Sequence, residues 1–308
     1  MSPSASVPAP GTPAPTAAAV LAIASDLTVL GDTASYSPDG TWFAFTARDS
    51  GATGGSDIYV WRLGRTMATP VTADHRSVFA GWDDDRIVGS RAAPTANGDS
   101  PRPSSEASPS DKTTDDDAVS FLLDPATLAA TPLAVPAWRP VVDPTGGYAL
   151  YWQGTVVPDD AGGWTTSTGR LVLAPWDAMT ATSQTVAPIE LPADVASAAG
   201  VGWQARWDET GSHLAIWTAD RSDPTLGHLD FLTVDRKTGL ADPTGPSLRD
   251  RPALAGFALE NGHLAWATPP GQDGQGSTLQ VYAWSGPHAG QISSQAADGS
   301  DPVIVVQH

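Results

Sequence analysis

The chain has 308 residues, 41% apolar and 16% charged, with a formal net charge of -18 and a pI near 4.4. This composition excludes a disordered chain and allows a sizeable core, and all-β architectures of this length form single domains. The acidic excess repels phosphate backbones, which excludes nucleic acid as a partner, and the absence of cysteine excludes disulfides, thiolate nucleophiles and Cys-ligated metal.

Taken in chain order, residues 2–16 form a Pro/Ala/Ser/Thr-rich stretch of the extended, semi-rigid linker type. The apolar run at 17–24 is too short to span a bilayer and has no basic residues before it. We read 1–24 as a linker or tail and 25–308 as the folded domain. Such linkers commonly follow an export signal or membrane anchor, so the expected location is extracytoplasmic: cell surface, periplasmic or secreted.

A repeat then begins. Its first copy is Ala34-Ser-Tyr-Ser-Pro-Asp-Gly-Thr-Trp-Phe-Ala-Phe-Thr46, followed by Asp57-Ile-Tyr-Val-Trp-Arg62. Pro38, Asp39 and Gly40 supply a turn, and both flanks alternate apolar with polar, which predicts a β-hairpin. Further copies start with Val78-Phe-Ala-Gly-Trp82, Arg139-Pro-Val-Val142, Gln204-Ala-Arg-Trp207 and Leu254-Ala-Gly-Phe257, with first turns near 84, 145, 210 and 261. Each copy continues into a third strand of alternating character and a weaker fourth, and none shows a helical period. The fold class predicted is all-β, a β-propeller of four-stranded antiparallel blades, about five in number, with a six-bladed ring whose last blade is incomplete as the alternative. Ring closure is expected from two spare strands, 25–30 and 303–306.

The run Ser37-Pro-Asp-Gly-Thr-Trp-Phe-Ala-Phe-Thr46 with Asp57-Ile-Tyr-Val-Trp61 resembles the WD40-like repeat of TolB-type propellers, in which an S-P-D-G turn precedes one strand and a D-I-Y/W strand follows. Asp143-Pro-Thr-Gly146 and Asp208-Glu-Thr-Gly211 replace that turn in the third and fourth units, and the second and fifth depart further. Similar repeats occur in propellers of prolyl oligopeptidase-like peptidases and in extracellular halves of bacterial membrane-anchored regulators, including some anti-sigma factors. The resemblance implies a fold more than a function.

Up-and-down topology puts the second-to-third connection of every blade on the same face as the blade-to-blade crossover. The long connections, 48–56, 91–117, 155–169, 219–227 and 268–277, all fall there, so function is expected on that face. Residues entering the innermost strands would ring the channel mouth: His75, Arg76, Trp138, Arg139, Trp203, Gln204 and Arg251. Arginine forks and indoles suit an anionic or peptide ligand, whereas the same tryptophans could instead pack between blades and the arginines pair with nearby Asp.

The chain contains no Gly-x-Ser-x-Gly elbow, no phosphate-binding glycine loop and no His-Glu-x-x-His arrangement, and Asp83 to Asp85 and 115–117 read as solvated charge. The expected protein is a non-enzymatic monomer without metal or cofactor that binds a protein or peptide. Sensing as part of a membrane-anchored regulator is one form of that reading. The alternative is a carbohydrate-binding or glycoside-hydrolase-like propeller using the channel mouth, and a third is a structural module whose mouth is plugged by its own loops.

Overall fold

The first hairpin of each repeat forms where alternation and turn chemistry place it. A computed structural model describes residues 24–94, 118–159, 162–181, 188–198, 202–220, 222–223, 226–249, 257–268 and 278–296. The linker, Arg251, the acidic run at 115–117 and the closing strand expected at 303–306 lie outside the described residues. The first sheet contains β1 (Leu27–Tyr36), β2 (Trp42–Asp49), β3 (Asp57–Arg62) and β4 (Thr69–Pro70). The second contains β5 (Ser77–Asp83), β6 (Arg86–Arg91), β7 (Val119–Leu123) and β8 (Ala130–Pro132). The third contains β9 (Trp138–Val142), β10 (Tyr148–Pro158) and β11 (Trp164–Pro175). The fourth contains β12 (Trp203–Trp207), β13 (His213–Ala219), β14 (Gly227–Asp235) and β15 (Leu240–Pro243), and the fifth β16 (Phe257–Glu260), β17 (His263–Thr268), β18 (Thr278–Ala283) and β19 (Ile292–Ala296). Within every sheet the strands lie side by side in chain order and pair antiparallel.

Three first hairpins share one loop, built by a short polar side chain. Ser37, Asp143 and Asp208 occupy the same position: their carbonyls accept the N–H of Gly40, Gly146 and Gly211 at 2.8, 2.9 and 3.0 Å. Those glycines take φ of +70, +67 and +64°, a region costly for a residue with a Cβ. Asp143 also accepts Thr145 N–H at 2.8 Å, and Asp208 accepts Ser212 and His213 N–H, each at 2.9 Å. These bonds satisfy the carboxylates of Asp143 and Asp208, residues only 2% and 1% exposed, and fix the loop donors around them.

Successive sheets stack face to face. Ala44, Ile58 and Val60 of the first meet Phe79, Ile87 and Phe121 of the second, and Val88 and Leu122 meet Ala149, Tyr151 and Val172 of the third. Trp152, Leu171 and Leu173 meet Trp203, Leu214 and Ile216, and Trp217 and Phe231 meet Phe257, Leu264 and Trp266. Central strands are therefore buried on both faces; in β2 the run from Phe43 to Ala47 is buried throughout. Each such large side chain contributes roughly 1.5–3 kcal/mol of burial. Tryptophans also bond across the seams: Trp82 Nε1 donates to Ser35 O at 3.1 Å, and the equivalently placed Trp207 Nε1 to Val141 O at 3.0 Å.

The structure corrects four sequence expectations. The third sheet has three strands rather than four, because Pro175 ends β11 and the chain turns into a short helix, α1 (Trp176–Thr180), that buries Trp176 and Met179. What remains of the fourth strand is a single bridge, Leu173 to Ile189. A second short helix, α2 (Ala193–Ala198), follows, so helices occur where none was expected. The segment 25–30 is not spare: from Leu27 onward it is the first half of β1, paired with β2 up to a bulge between Leu30 and Ala34. Finally, 155–169 is no irregular loop. It prolongs β10 and β11 into a two-stranded arm, with Val156, Val157 and Pro158 opposite Thr166, Thr165 and Trp164.

Candidate functional site

The crossover from the first sheet to the second is organised by Asp57, the first residue of the Asp-Ile-Tyr strand. Its carboxylate is 4% exposed and accepts the Thr72 hydroxyl at 3.0 Å and the His75 N–H at 3.1 Å, and it contacts His75 Nδ1 at 2.8 Å. His75 is thereby held at φ +58° with its side chain 77% exposed. Arg76 lies beside it. Its N–H donates to Asp74 at 2.8 Å and its Nη1 to Ala92 O at 3.0 Å, while Asp74 also pairs with Arg91 at 2.7 Å. His75 and Arg76 thus sit where the sequence puts them, at the entry to the second innermost strand, with their polar groups engaged in the crossover.

Trp138 and Trp203 are buried, at 1% and 5% exposure, and belong to one hydrophobic cluster. In β12 the alternation of buried Trp203, Ala205 and Trp207 with half-buried Gln204 and Arg206 sets the indole inward and Gln204 on the opposite face. Arg139 is half-buried at φ +52°, and its N–H donates to Ser90 Oγ at 2.8 Å, just as Phe79 N–H donates to Thr46 Oγ1 at 2.9 Å one sheet earlier. Buried hydroxyls on the second strands of the first and second sheets therefore stitch the innermost strand of the following sheet to them.

Trp138 and Arg139 come together again in the wall of a cavity of about 100 Å³. The first sheet supplies Leu30, Thr33, Thr46 and Ser56, the second Val78 and Phe79, and the arm of the third supplies Asp159, Gly163 and Trp164. All these residues lie at the end of the sheets that carries the crossovers and second-to-third connections. Ser56 links the cavity to the crossover through its bridge to Arg76. Of the expected ring, the structure brings Trp138 and Arg139 into the cavity, sets His75 and Arg76 beside it, and puts Trp203 in the core.

The arm roofs this cavity. It leaves the third sheet at a facing pair of glycines, Gly154 and Gly169, beside a register shift between Gly154 and Val156. A Cβ on Gly169 would lie 2.8 Å from Gly154 Cα and 2.8 Å from the Trp152 ring, so the strands meet there only as glycines. At the tip, Gly162 packs on the guanidinium of Arg48, bringing the arm against the first sheet. Asp159 Oδ1 accepts the Gly163 N–H at 2.7 Å and shapes the turn. Trp164 Nε1 is buried without a hydrogen-bond partner. Asp159 and Trp164 were missed as site residues. The signal was present: β-prone Val156, Val157, Thr165 and Thr166 flank a Gly162-Gly163 turn.

Among the described residues no three His, Asp or Glu side chains are grouped as for a metal ion, and no helix is long and apolar enough to cross a membrane.

The architecture is a β-propeller, and known structures share it. A puromycin-hydrolyzing peptidase of Mycobacterium tuberculosis matches at TM-score 0.50 and 14% identity, over 92% of this chain and 40% of that one. A protein assigned as TolB from Agrobacterium tumefaciens matches at TM-score 0.43 and 16% identity, over 70% of this chain and 64% of that one. The β-propeller domain of the trilobed protease of Pyrococcus furiosus, described as having an open velcro topology, matches at TM-score 0.44 and 10% identity, over 88% and 71% of the two chains. These identities speak for the fold alone. This chain spans less than two thirds of the TolB and less than half of the peptidase. No protein-family model matches the chain. No curated protein matches it.

Proposed function

We propose that this protein is a non-enzymatic, extracytoplasmic binding propeller that takes a protein or peptide partner at the face carrying the crossovers and the arm. The observation behind the reading is the cavity itself, a concave site with an arginine, a carboxylate and two indoles, set where rigid sheets deliver their connections. Its walls offer recognition groups rather than a reacting set. Among the described residues Asp159 is the one carboxylate in its lining and already accepts a backbone N–H, whereas glycoside hydrolysis uses a pair. The Pro/Ala/Ser/Thr-rich stretch at 2–16 supports an extracytoplasmic location, and the protein acts as a monomer in this reading.

Affinity capture from an envelope fraction of the source organism, using the intact protein and Arg139→Ala, tests the reading. A defined partner retained by the first and reduced at least about tenfold with the second, at unchanged melting temperature, is the expected result. Equal capture by both moves the site away from the cavity, and turnover of a glycan or peptide by the purified protein overturns the non-enzymatic assignment.

A further inference from the structure

Most polar groups in the cavity wall already hold partners within the protein. Thr33 Oγ1 donates to Phe79 O at 2.6 Å, Ser56 Oγ donates to Ser77 O at 2.9 Å, and Thr46 Oγ1 accepts the Phe79 N–H at 2.9 Å. Asp159 accepts the Gly163 N–H, and Arg139 is likewise engaged within the fold. One group stands apart: the buried Trp164 Nε1–H, which finds no acceptor among the described residues. A buried donor without an acceptor costs free energy, so a ligand that brings one oxygen gains more here than at the surface. The rest of the wall is apolar, made by Leu30, Val78, Phe79 and the indole of Trp138. A carboxylate entering this space would leave water for one neutral donor, and an ammonium would bring only donors to a wall whose unmet group is itself a donor. A neutral carbonyl beside an aliphatic body loses far less. Size narrows the choice further. An apolar cavity of roughly 150 Å³ takes benzene, so one of about 100 Å³ takes a group the size of a valine or proline side chain.

We infer that the cavity is an anchor pocket for one small, uncharged aliphatic residue of the partner's chain, of valine or proline size, whose main-chain carbonyl accepts the Trp164 N–H. The inference rests on the peptide-binding reading above. The arm completes the pocket, because Trp164 and Asp159 reach the cavity through it while the facing wall belongs to the first and second sheets. Selection by size comes from that wall. Leu30 lies on β1 and Val78 and Phe79 on β5, strands of two sheets packed face to face, so the wall recedes little for a larger side chain. Selection against charge comes from the single neutral donor.

The test is affinity selection by the intact protein from a randomised hexapeptide library capped at both ends, with the retained pool sequenced by mass spectrometry. The indole N–H resonance of Trp164, assigned by its loss in Trp164→Phe, is followed by two-dimensional NMR as a selected peptide is added. The expected result is enrichment of Val, Pro or Ala at one position and a shift of that resonance. Binding should weaken about tenfold in Trp164→Phe, which keeps a ring but no donor, and at least about tenfold in Leu30→Phe, which narrows the cavity. The library and the resonance are read on the unsubstituted protein, so they decide size and charge even where a variant melts early. Enrichment of a charged residue, of Leu, Phe or Trp, or of nothing at any position overturns the anchor pocket and leaves peptide binding standing. Peptide binding that leaves the Trp164 resonance unmoved puts the contact elsewhere and overturns the pocket in the same way. Retention of no peptide overturns the pocket together with the peptide reading.

Discussion

At Asp208 a carboxylate is almost wholly removed from water yet stays ionised. Burial works to raise its pKa, but the side chain and backbone N–H of His213, with the Thr210 hydroxyl, bring it down to about 2. A carboxyl held below its unfolded value of about 4 stabilises the fold above that pH and stops doing so as pH falls toward 2. The melting temperature is therefore expected to drop between pH 4 and 2, and Asp208→Asn should flatten that drop while costing roughly 1–3 kcal/mol near neutrality, as melts across the pH range would show. Asp39 is also lowered to about 2, by hydrogen bonds from Ser37 and Thr41, but on the open surface, so Asp39→Asn should leave the acid limb almost unchanged. Tyr59 moves the other way. Burial, then the Asp49 charge and the bond donated to Asp49, push its phenol up to about 12, so an ultraviolet titration should lose its highest step in Tyr59→Phe. At this scale the sequence was partly legible. Trp203-Gln204-Ala205-Arg206-Trp207 alternates plainly enough to set Trp203 with Trp207, yet composition alone does not say which face of a pleat meets a neighbouring sheet.

Elements were legible where local chemistry decides them. The Ser37, Asp143 and Asp208 loops were found because a short polar residue and a left-handed glycine leave the backbone few alternatives. The missing fourth strand of the third sheet was not, because Trp176 and Met179 carry the apolar content of a strand and only their packing after Pro175 makes a helix. The arm escaped notice because its second strand, from Trp164 to Thr168, is mostly Thr and Ser and lacks the apolar stripe that marks a core strand. Its base is expected to be intolerant. Gly169→Ala should destabilise by more than ~1 kcal/mol, since the new Cβ meets the Gln153 carbonyl and the Trp152 ring, and denaturant unfolding would measure it. At the seams, Trp207→Phe keeps most of the ring but strands the Val141 carbonyl, and a loss of about 1–3 kcal/mol is expected by the same measurement.

On the scale of the molecule, a net charge of -18 sits on a stack of closely packed sheets with only two lysines, Lys112 and Lys237, among its cations. Self-repulsion of this size weakens the compact state and is screened by salt, so the melting temperature should rise from 10 mM to 0.5 M NaCl; a fall would mean that ion pairs such as Arg236 with Asp143 outweigh the repulsion. The fold class was readable from the repeat because each unit is one sheet, whereas how the ring closes depends on distant segments that no local pattern pairs. The strictly sequential strand order also bears on how the protein comes into being. Every described ladder joins neighbours along the chain, so a polypeptide emerging from a ribosome or a translocon can complete one meander before the next repeat is out. Each new sheet then finds a finished template, and the entropy of loop closure is met in small local steps rather than one long search.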